Sequence, residues 1–350
     1  MCQRSLYEKL IKLYENQQNL ILSQSIVGMT DAKKLTEFIN DFCELNLGSE
    51  IIDCLYAGFS VGASFGLGLK NGEKIFLKIN KPNSNDSITP FSLESLKAMS
   101  QVQEYLSDND FQCPKVILHP VEYGSVIVTV NEFIDIGVQK DAHDPLIRKV
   151  MAQKFAELIK ITTPYISLKG FEYFNIFDTK RLYPVPHNAL FDFTVNEKAT
   201  AWIDEIAQKS KEVINSIDKN LVLGHCDWSL KHFHFIDDKI VMIYDWDSLF
   251  LQDEYHLLGI AASTFTTTWD IPVKITPSQV EAYEFVKEYE YVREKSFTKE
   301  ELKKISASAT YIMAYTARCE SAIDPLNKNF QGSFRQALRD MVGDNYLGIK

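Results

Sequence analysis

Acidic and imidazole side chains are concentrated between Leu223 and Ser248. This mostly apolar stretch contains three histidines, one cysteine and five aspartates. Burying carboxylates and imidazoles is costly unless they are paired, hydrogen-bonded or bound to a metal ion. The stretch is therefore the first candidate for a functional site.

A predicted β-hairpin brings part of this set together. The strand-like runs HFHFI and IVMIYD flank a turn centred on Asp238, which places His232 opposite Tyr244, beside Asp245. Asp227 lies just upstream, in the loop that enters the hairpin. Two carboxylates and an imidazole should then meet at one end of the hairpin. Because hard cations take oxygen ligands, acids at the end of a buried strand predict a Mg²⁺ site.

A glycine-rich segment upstream offers groups that suit phosphate. Gly58 to Ser64 reads GFSVGAS between two strands, where backbone N–H groups can point at phosphate oxygens. Lys78 follows in the strand IFLKIN, after the Asn71-Gly72 hairpin turn. Taken singly, the glycines fit ordinary turn chemistry and the lysine fits a solvated strand. Together with a downstream acid cluster, they are the parts needed for phosphoryl transfer.

Composition restricts the class of protein. The 350 residues are 45% hydrophobic and 24% charged, with a formal net charge of −10. This balance predicts a globular chain and argues against nucleic-acid binding, which requires a basic surface. No apolar run reaches the roughly 18 residues of a membrane span. Six scattered cysteines and a polar N-terminus predict a cytoplasmic protein that does not act at a membrane.

The elements that must position these residues change along the chain. Residues 1–47 show helical periodicity, and short strands with one helix (from about Leu93 to Leu106) follow as far as the stretch VNEFIDI. Beyond Gly137 the pattern is mainly helical, interrupted by the hairpin described above. The order predicts an α+β protein with a small antiparallel-sheet lobe and a larger helical lobe. We place the boundaries at 1–49 (helical extension), 50–135 and 136–350.

At this point the sequence resembles the aminoglycoside phosphotransferase and choline kinase family, which has a bilobal protein-kinase-like fold. That family carries His-x-Asp, an Asn five residues after the Asp, and Ile-Asp-(Trp/Phe)-Asp after a short hairpin. Here the matching positions are His225-Cys226-Asp227, His232, and Tyr244-Asp245-Trp246-Asp247. The looser resemblance covers roughly residues 50 to 270.

The resemblance implies roles for the residues of the larger lobe. Asp227 would orient an acceptor hydroxyl and receive its proton, and Asp245 would hold Mg²⁺ against the phosphates. His225 would brace the loop. His232 departs from the family, since the usual residue is an asparagine that binds metal. It would be a metal ligand, with a preference for Mn²⁺, or would bond a phosphate or pair with Asp227.

The resemblance also implies a nucleotide site in the smaller lobe. Lys78 would contact the α- and β-phosphates, and Ser60 or Ser64 would lie in the phosphate loop. Backbone groups of Glu132 and Ile134 would hold the adenine edge of ATP, with GTP as the alternative donor. The glutamate partner expected for the lysine is a second departure: alignment on Pro114 puts that position near Gln101, with Glu94 and Glu104 as neighbouring alternatives.

The sequence therefore predicts an ATP-dependent phosphotransferase acting on a hydroxyl of a small molecule. An antibiotic, a choline-like amine, a sugar, an amino-acid derivative and a protein hydroxyl all stay open as acceptors. One alternative is a nucleotide-binding protein of the same fold without catalysis. Another is a zinc enzyme, whose ligands would be His225, Cys226, His232 and His234. The oligomeric state is open, with 1–47 the segment expected to form any dimer.

Overall fold

The structure is a computed structural model, and it describes residues 4–83, 87, 91–173, 180–294 and 296–349. These residues form two compact units. The first comprises the described residues up to Asp135 together with Pro186–Leu190, and the second comprises Ile136–Val185 and Phe191 onward. Within the described ranges, no helix is both long enough and apolar enough to cross a membrane.

Three helices open the first unit: α1 (Arg4–Tyr14), α2 (Gln17–Val27) and α3 (Ala32–Leu47). Asn16 and Asp31 cap the starts of the second and third helices by accepting backbone N–H groups, and Gly28 ends α2 in the left-handed conformation. Over the described residues 4–47, the predicted helical stretch is thus confirmed as three helices, divided where polar caps and a glycine interrupt the apolar periodicity.

A five-stranded antiparallel sheet follows, in the order β1-β2-β3-β5-β4. Its strands and the helix that follows β3 are β1 (Ile51–Phe59), β2 (Ala63–Leu69), β3 (Lys74–Asn80), α4 (Leu93–Asp108), β4 (Val116–Tyr123) and β5 (Val126–Glu132). Gly72, with φ of 89°, makes the predicted turn between β2 and β3. Alternate residues of β2 and β3, such as Phe65 and Leu77, are buried in one core with the three N-terminal helices.

The second unit is mainly helical. Its helices are α5 (Pro145–Thr162), α6 (Glu197–Asn215), α7 (Glu254–Thr264), α8 (Gln279–Arg293), α9 (Lys299–Ile323) and α10 (Phe334–Asp340). Two small antiparallel pairs lie among them: β6 (Leu221–His225) with β9 (Leu249–Asp253), and β7 (Phe233–Ile236) with β8 (Lys239–Ile243). The predicted α+β class is confirmed, whereas the β6–β9 pair and α7 were not predicted.

The pairing of β6 with β9 fixes the ends of the segment that carries the candidate residues. His225, the last residue of β6, lies opposite Leu249, the first residue of β9. Residues 226–248 therefore begin and end next to each other, at the same end of the β6–β9 pair. Asp253 ends β9 and caps α7, where it accepts the backbone N–H of Tyr255.

Candidate functional site

A buried tryptophan anchors the loop that carries Asp227 to helix α5. Trp228 is fully buried, and its indole N–H donates to the Met151 carbonyl of α5 at 3.1 Å. The backbone N–H of Leu230 donates to Phe265 O at 3.0 Å. The loop is thus anchored at its centre and at its exit, so that its polar side chains project from a rigid base.

His225 braces this loop. Its side chain is buried, its Nδ1 accepts the backbone N–H of Asp227 at 3.1 Å, and its Nε2 lies 3.3 Å from Tyr244 O. The ring must therefore carry its proton on Nε2. Burial, together with the nearby His232, lowers the pKa of His225 to about 4. A neutral ring with both nitrogens engaged positions the backbone instead of exchanging protons.

The Asp227 carboxylate gathers three partners. Ser229 Oγ donates to Oδ1 at 2.8 Å, while Lys231 Nζ and His232 Nε2 lie 2.6 and 3.0 Å from Oδ2. Burial alone would raise the pKa of Asp227. The lysine and the histidine outweigh burial and hold that pKa well below its ordinary value. The carboxylate is therefore ionised at neutral pH.

Asp245 approaches the same point from the other side of the hairpin. Its backbone has φ of 69°, and its Oδ2 accepts from Ser248 Oγ at 3.0 Å and lies 3.7 Å from His232 Nε2. One ligand atom from each of Asp227, His232 and Asp245 can be chosen so that all three lie within 4.8 Å of one another. Two carboxylates and an imidazole at this separation fit a single divalent cation.

The hairpin brings these residues together through the predicted register at its base. Phe233 pairs with Ile243, and Tyr244 N donates to His232 O at 3.0 Å, as a turn centred on Asp238 requires. Nearer the tip, Phe235 pairs with Ile240, so the register shifts by one residue there. The turn is consequently tighter than predicted and Asp237 adopts φ of 52°. The shift leaves the base of the hairpin unchanged.

In the first unit, Ser64 and Lys78 lie directly opposite each other on β2 and β3. Both are half-buried, on the face away from the core that contains Phe65 and Leu77. Ser60 lies in the turn between β1 and β2, where its N–H donates to Gly62 O at 2.9 Å. The three residues thus belong to one region of the sheet, centred on the β1–β2 hairpin and the adjoining part of β3.

Packing explains part of the glycine cluster near that hairpin. A Cβ at Gly62 would meet Asn80 Oδ1 at 2.5 Å, and one at Gly66 would meet the Phe133 ring at 2.4 Å. Both positions therefore require glycine whether or not phosphate binds. The glycines alone are weak support for a phosphate loop.

The predicted adenine contacts lie at the end of β5. Glu132 pairs with Ile75, and its backbone N–H donates to Lys115 O at 2.9 Å. Ile134 follows immediately beyond the strand. Of the residues considered as partners of Lys78, Glu104 has its carboxylate 3.3 Å from the His119 ring, and Gln101 is exposed on α4.

The zinc hypothesis receives no support from the geometry. His225 is engaged as described, and His234 Nδ1 lies 2.8 Å from Ile136 O. Burial raises the pKa of the Cys226 thiol, which disfavours the thiolate that zinc requires. Trp246 is also buried and donates to Ile243 O at 2.8 Å, consistent with core packing.

Three residues of this site were missed in the sequence. Lys231 and Ser229 hold Asp227, and Ser248 holds Asp245. The spacing of Asp227 and Lys231, four residues apart within a loop, was the available signal. A serine three residues after an aspartate is too common to be informative by itself.

Comparison with solved structures identifies the fold. No protein-family model matches the chain, and no curated protein matches it in sequence. An amicoumacin kinase in complex with AMP-PNP, Ca²⁺ and Ami superposes with a TM-score of 0.56 at 13% identity, covering 89% of this chain and 97% of that one. An ethanolamine kinase from Plasmodium vivax gives a TM-score of 0.50 at 13% identity, over 87% and 88% of the two chains.

A spectinomycin phosphotransferase in complex with ADP and spectinomycin gives a TM-score of 0.50 at 12% identity, over 89% of this chain and 96% of that one. These structural neighbours are small-molecule kinases and phosphotransferases. The predicted resemblance is confirmed at the level of the fold, which is the kinase-like fold of these enzymes.

Proposed function

We propose that this protein is an ATP-dependent phosphotransferase that moves the γ-phosphate to a hydroxyl of a small molecule. The observation that carries the proposal is the meeting of Asp227, His232 and Asp245 on a rigid loop and hairpin. The fold supports it, since structural neighbours were solved with AMP-PNP or ADP. Such chemistry needs positioning and charge stabilisation more than covalent help from the protein.

Asp227 is the residue that would face the acceptor hydroxyl. Its pKa is held well below the ordinary value, so it is ionised but a weak base. A weak base orients the hydroxyl by accepting its hydrogen bond, and it takes the proton late, after the bond to phosphorus has begun to form. Ser229 and Lys231 keep the carboxylate in one orientation while this happens.

Asp245, with His232, would hold the divalent cation. Ser248 fixes the Asp245 carboxylate, and the hairpin fixes its distance from Asp227. A bound Mg²⁺ or Mn²⁺ would neutralise phosphate charge. Because an imidazole nitrogen is a softer donor than an amide oxygen, His232 should favour Mn²⁺ relative to a site with asparagine.

The first unit would bind the nucleotide. Lys78 would contact the α- and β-phosphates, and Ser64, opposite it on the sheet, would contact them from the neighbouring strand, with Ser60 in the turn. Since the Glu132 N–H is already used, its carbonyl is the group that would accept from the adenine amino group. Ile134 would contribute its backbone, and GTP is the alternative donor.

Thermal unfolding with nucleotides tests the proposal. ATP, ADP and GTP are each added with Mg²⁺, Mn²⁺ or a chelator, to the wild type and to Asp245→Asn. A ligand at a hundred times its Kd stabilises the folded protein by roughly 2.7 kcal/mol. We expect a metal-dependent rise in Tm that Asp245→Asn loses. The absence of a shift with any nucleotide would overturn the proposal.

A nucleotide-binding protein without catalysis is the second candidate. The observation in its favour is that His232 and Lys231, rather than asparagine, lie beside Asp227. Measuring ADP release by His232→Asn separates the two. Activity that is gained only in this variant would favour the second candidate, and activity that is lost would show that the histidine is used.

A further inference from the structure

A tryptophan lies exposed beside the Asp227 loop. Trp269 is 69% exposed, while two other tryptophans, Trp228 and Trp246, are buried. The ammonium of Lys231, which touches Asp227 at 2.6 Å, lies over the Trp269 ring at 5.9 Å from its centroid. One lysine side chain therefore links the indole to the carboxylate that would face the acceptor.

The segment that presents this ring is rigid. Thr266 and Thr267 are buried and both donate to Ile275 O, at 3.1 and 2.9 Å. Thr268, also buried, donates to Gln139 Oε1 at 2.6 Å and accepts from Asp270 N at 3.1 Å. Three consecutive threonines thus fix the backbone that leads to an exposed indole.

The same segment is bonded directly to the Asp227 loop. Lys231 N donates to Thr267 O at 3.0 Å. The side-chain amide of Gln139 donates to Asp270 Oδ2 at 2.7 Å and lies 3.4 Å from Lys231 O. These bonds hold both segments in one frame, so the backbone that carries Trp269 has a fixed position relative to the Asp227 loop before any ligand arrives.

Deepening the proposed function, on which this inference rests, we infer that Trp269 is a wall of the acceptor site and that the acceptor is an uncharged polyol ring, such as a sugar or cyclitol. The apolar C–H face of such a ring packs on an indole, while its hydroxyls remain available for hydrogen bonds. The ammonium of Lys231 already lies over the indole within cation–π distance, so a cationic amine stacked on that face would have to displace it.

The hydrogen-bonding groups around the indole suit hydroxyls. Asp227 accepts from the hydroxyl that is to be phosphorylated, and Asp270 presents a second carboxylate next to the ring in sequence. Lys231 donates. A polyol ring offers both donors and acceptors to this set, whereas an alkanolamine offers one hydroxyl and a charge.

Fluorine NMR of the full chain labelled with 5-fluorotryptophan tests binding without requiring turnover. The Trp269 resonance is assigned with Trp269→Phe, and AMP-PNP with Mg²⁺ is present throughout. Ribose, glucose and myo-inositol are the polyol probes, and choline and ethanolamine are the amine probes. We expect the Trp269 resonance to shift with at least one polyol. A shift with the amines alone, or with no probe, overturns the inference.

Steady-state kinetics with the polyol that binds then tests the role. Trp269→Ala should raise KM for the polyol at least tenfold while KM for ATP stays within twofold, and Trp269→Phe should retain most of the affinity. Trp202→Phe, a change to a tryptophan of α6, is the matched control and should alter neither value. An unchanged polyol KM in Trp269→Ala overturns the inference.

The two readouts separate this inference from the proposed function. If nucleotides neither bind nor turn over, the phosphotransferase proposal fails, while a polyol-induced shift of Trp269 would still support the wall. If ATP is consumed with an amine acceptor and Trp269→Ala leaves that reaction unchanged, the phosphotransferase stands and the polyol wall is wrong.

Discussion

Two clusters of acids and cations lie in the second unit, and they differ in exposure. We name them the Asp227 cluster (Asp227, Lys231, His232, Asp245) and the Asp253 cluster (Asp253, Glu254, Arg293, Lys304). Side chains of the first are 15–36% exposed. In the second, Lys304 and Asp253 are 1% and 5% exposed, and Arg293 and Glu254 are 15% and 4% exposed.

The partners of the two clusters also differ. Lys304 Nζ lies 2.6 Å from Asp253 Oδ2 and donates to the carbonyls of Ile217 and Asp218, so its donors are used within the protein. In the Asp227 cluster, a lysine ammonium and a histidine ring nitrogen both lie against one carboxylate oxygen that solvent or substrate can reach. Similar residue types thus make a structural link where they are enclosed and a candidate site where they are open.

The largest effect that the comparison predicts is on turnover. Asp227→Asn should lower kcat by about 10²–10⁴-fold, because the amide cannot accept the proton. Nucleotide binding should change little, because the nucleotide contacts are assigned to other residues. Tm should fall by less than in a variant of the buried Asp253 cluster, because Asp227 is partly exposed. The check is ADP release together with nucleotide-induced Tm shifts, and retained turnover would remove the role assigned to Asp227.

Breaking the Asp253 cluster should lower the stability of the fold and not turnover. Lys304→Met leaves Asp253 buried without its ammonium, and losing one partner of a buried pair costs about 3–5 kcal/mol. Urea unfolding measures the free energy of unfolding. Lys303→Met is the control, because Lys303 pairs with Glu300 at the surface, where ion pairs contribute about 0–1 kcal/mol. Equal effects of the two changes would contradict the distinction.

Lys231→Met tests whether the lysine of the Asp227 cluster serves turnover or stability. A hydrogen bond to a charged group contributes about 1.5–3 kcal/mol, so kcat should fall roughly 10–100-fold while the fold is kept. Lys239→Met, at the exposed tip of the β7–β8 hairpin, is the control and should leave kcat unchanged. A large loss of stability in Lys231→Met, with normal turnover, would place this lysine with the structural cations.

The smallest effect concerns pH and His256, a buried residue of α7. Burial, with the nearby Lys304, lowers the pKa of His256 to about 3, against 6.5 when unfolded. As the pH falls below 6.5, the unfolded chain therefore binds a proton at His256, whereas the folded chain binds it only near pH 3. The contribution of His256 to the free energy of unfolding is fully present above pH 6.5 and decreases as the pH falls, by about 2 kcal/mol at pH 5.

The check is the free energy of unfolding at pH 7.5 and pH 5 for the wild type and His256→Gln. The wild type should lose about 2 kcal/mol more than the variant over this interval. Parallel losses in the two proteins would show that this imidazole does not titrate as described.

Most of the correct structural predictions came from local sequence patterns. The turn at Gly72, the N-terminal helices and the base of the β7–β8 hairpin depend on neighbouring residues, and each was predicted. The β6–β9 pair was missed because its strands are separated by 23 residues and pair only through the fold. Helix α7 was missed because ten of its eleven residues are buried, so it has no polar face to show helical periodicity.

The site divides in the same way. The convergence of Asp227, His232 and Asp245 followed from hairpin geometry, which is local. The contact of Lys231 with both Asp227 and Trp269 depends on the direction of a loop and on a segment almost forty residues downstream. Sequence spacing does not encode that direction.

The left-handed backbone at Asp245 restricts which residues a mutant library can accept there. With φ of 69°, a Cβ atom at this position lies close to the following carbonyl oxygen, at a cost of about 1–2 kcal/mol; glycine has no Cβ, and asparagine and aspartate offset the cost through local hydrogen bonds. Among stably folded clones we expect those three residues to be enriched at position 245, and glutamate to be depleted although it keeps the carboxylate. Backbone geometry would thus select the residue at this position independently of any chemistry that its side chain performs.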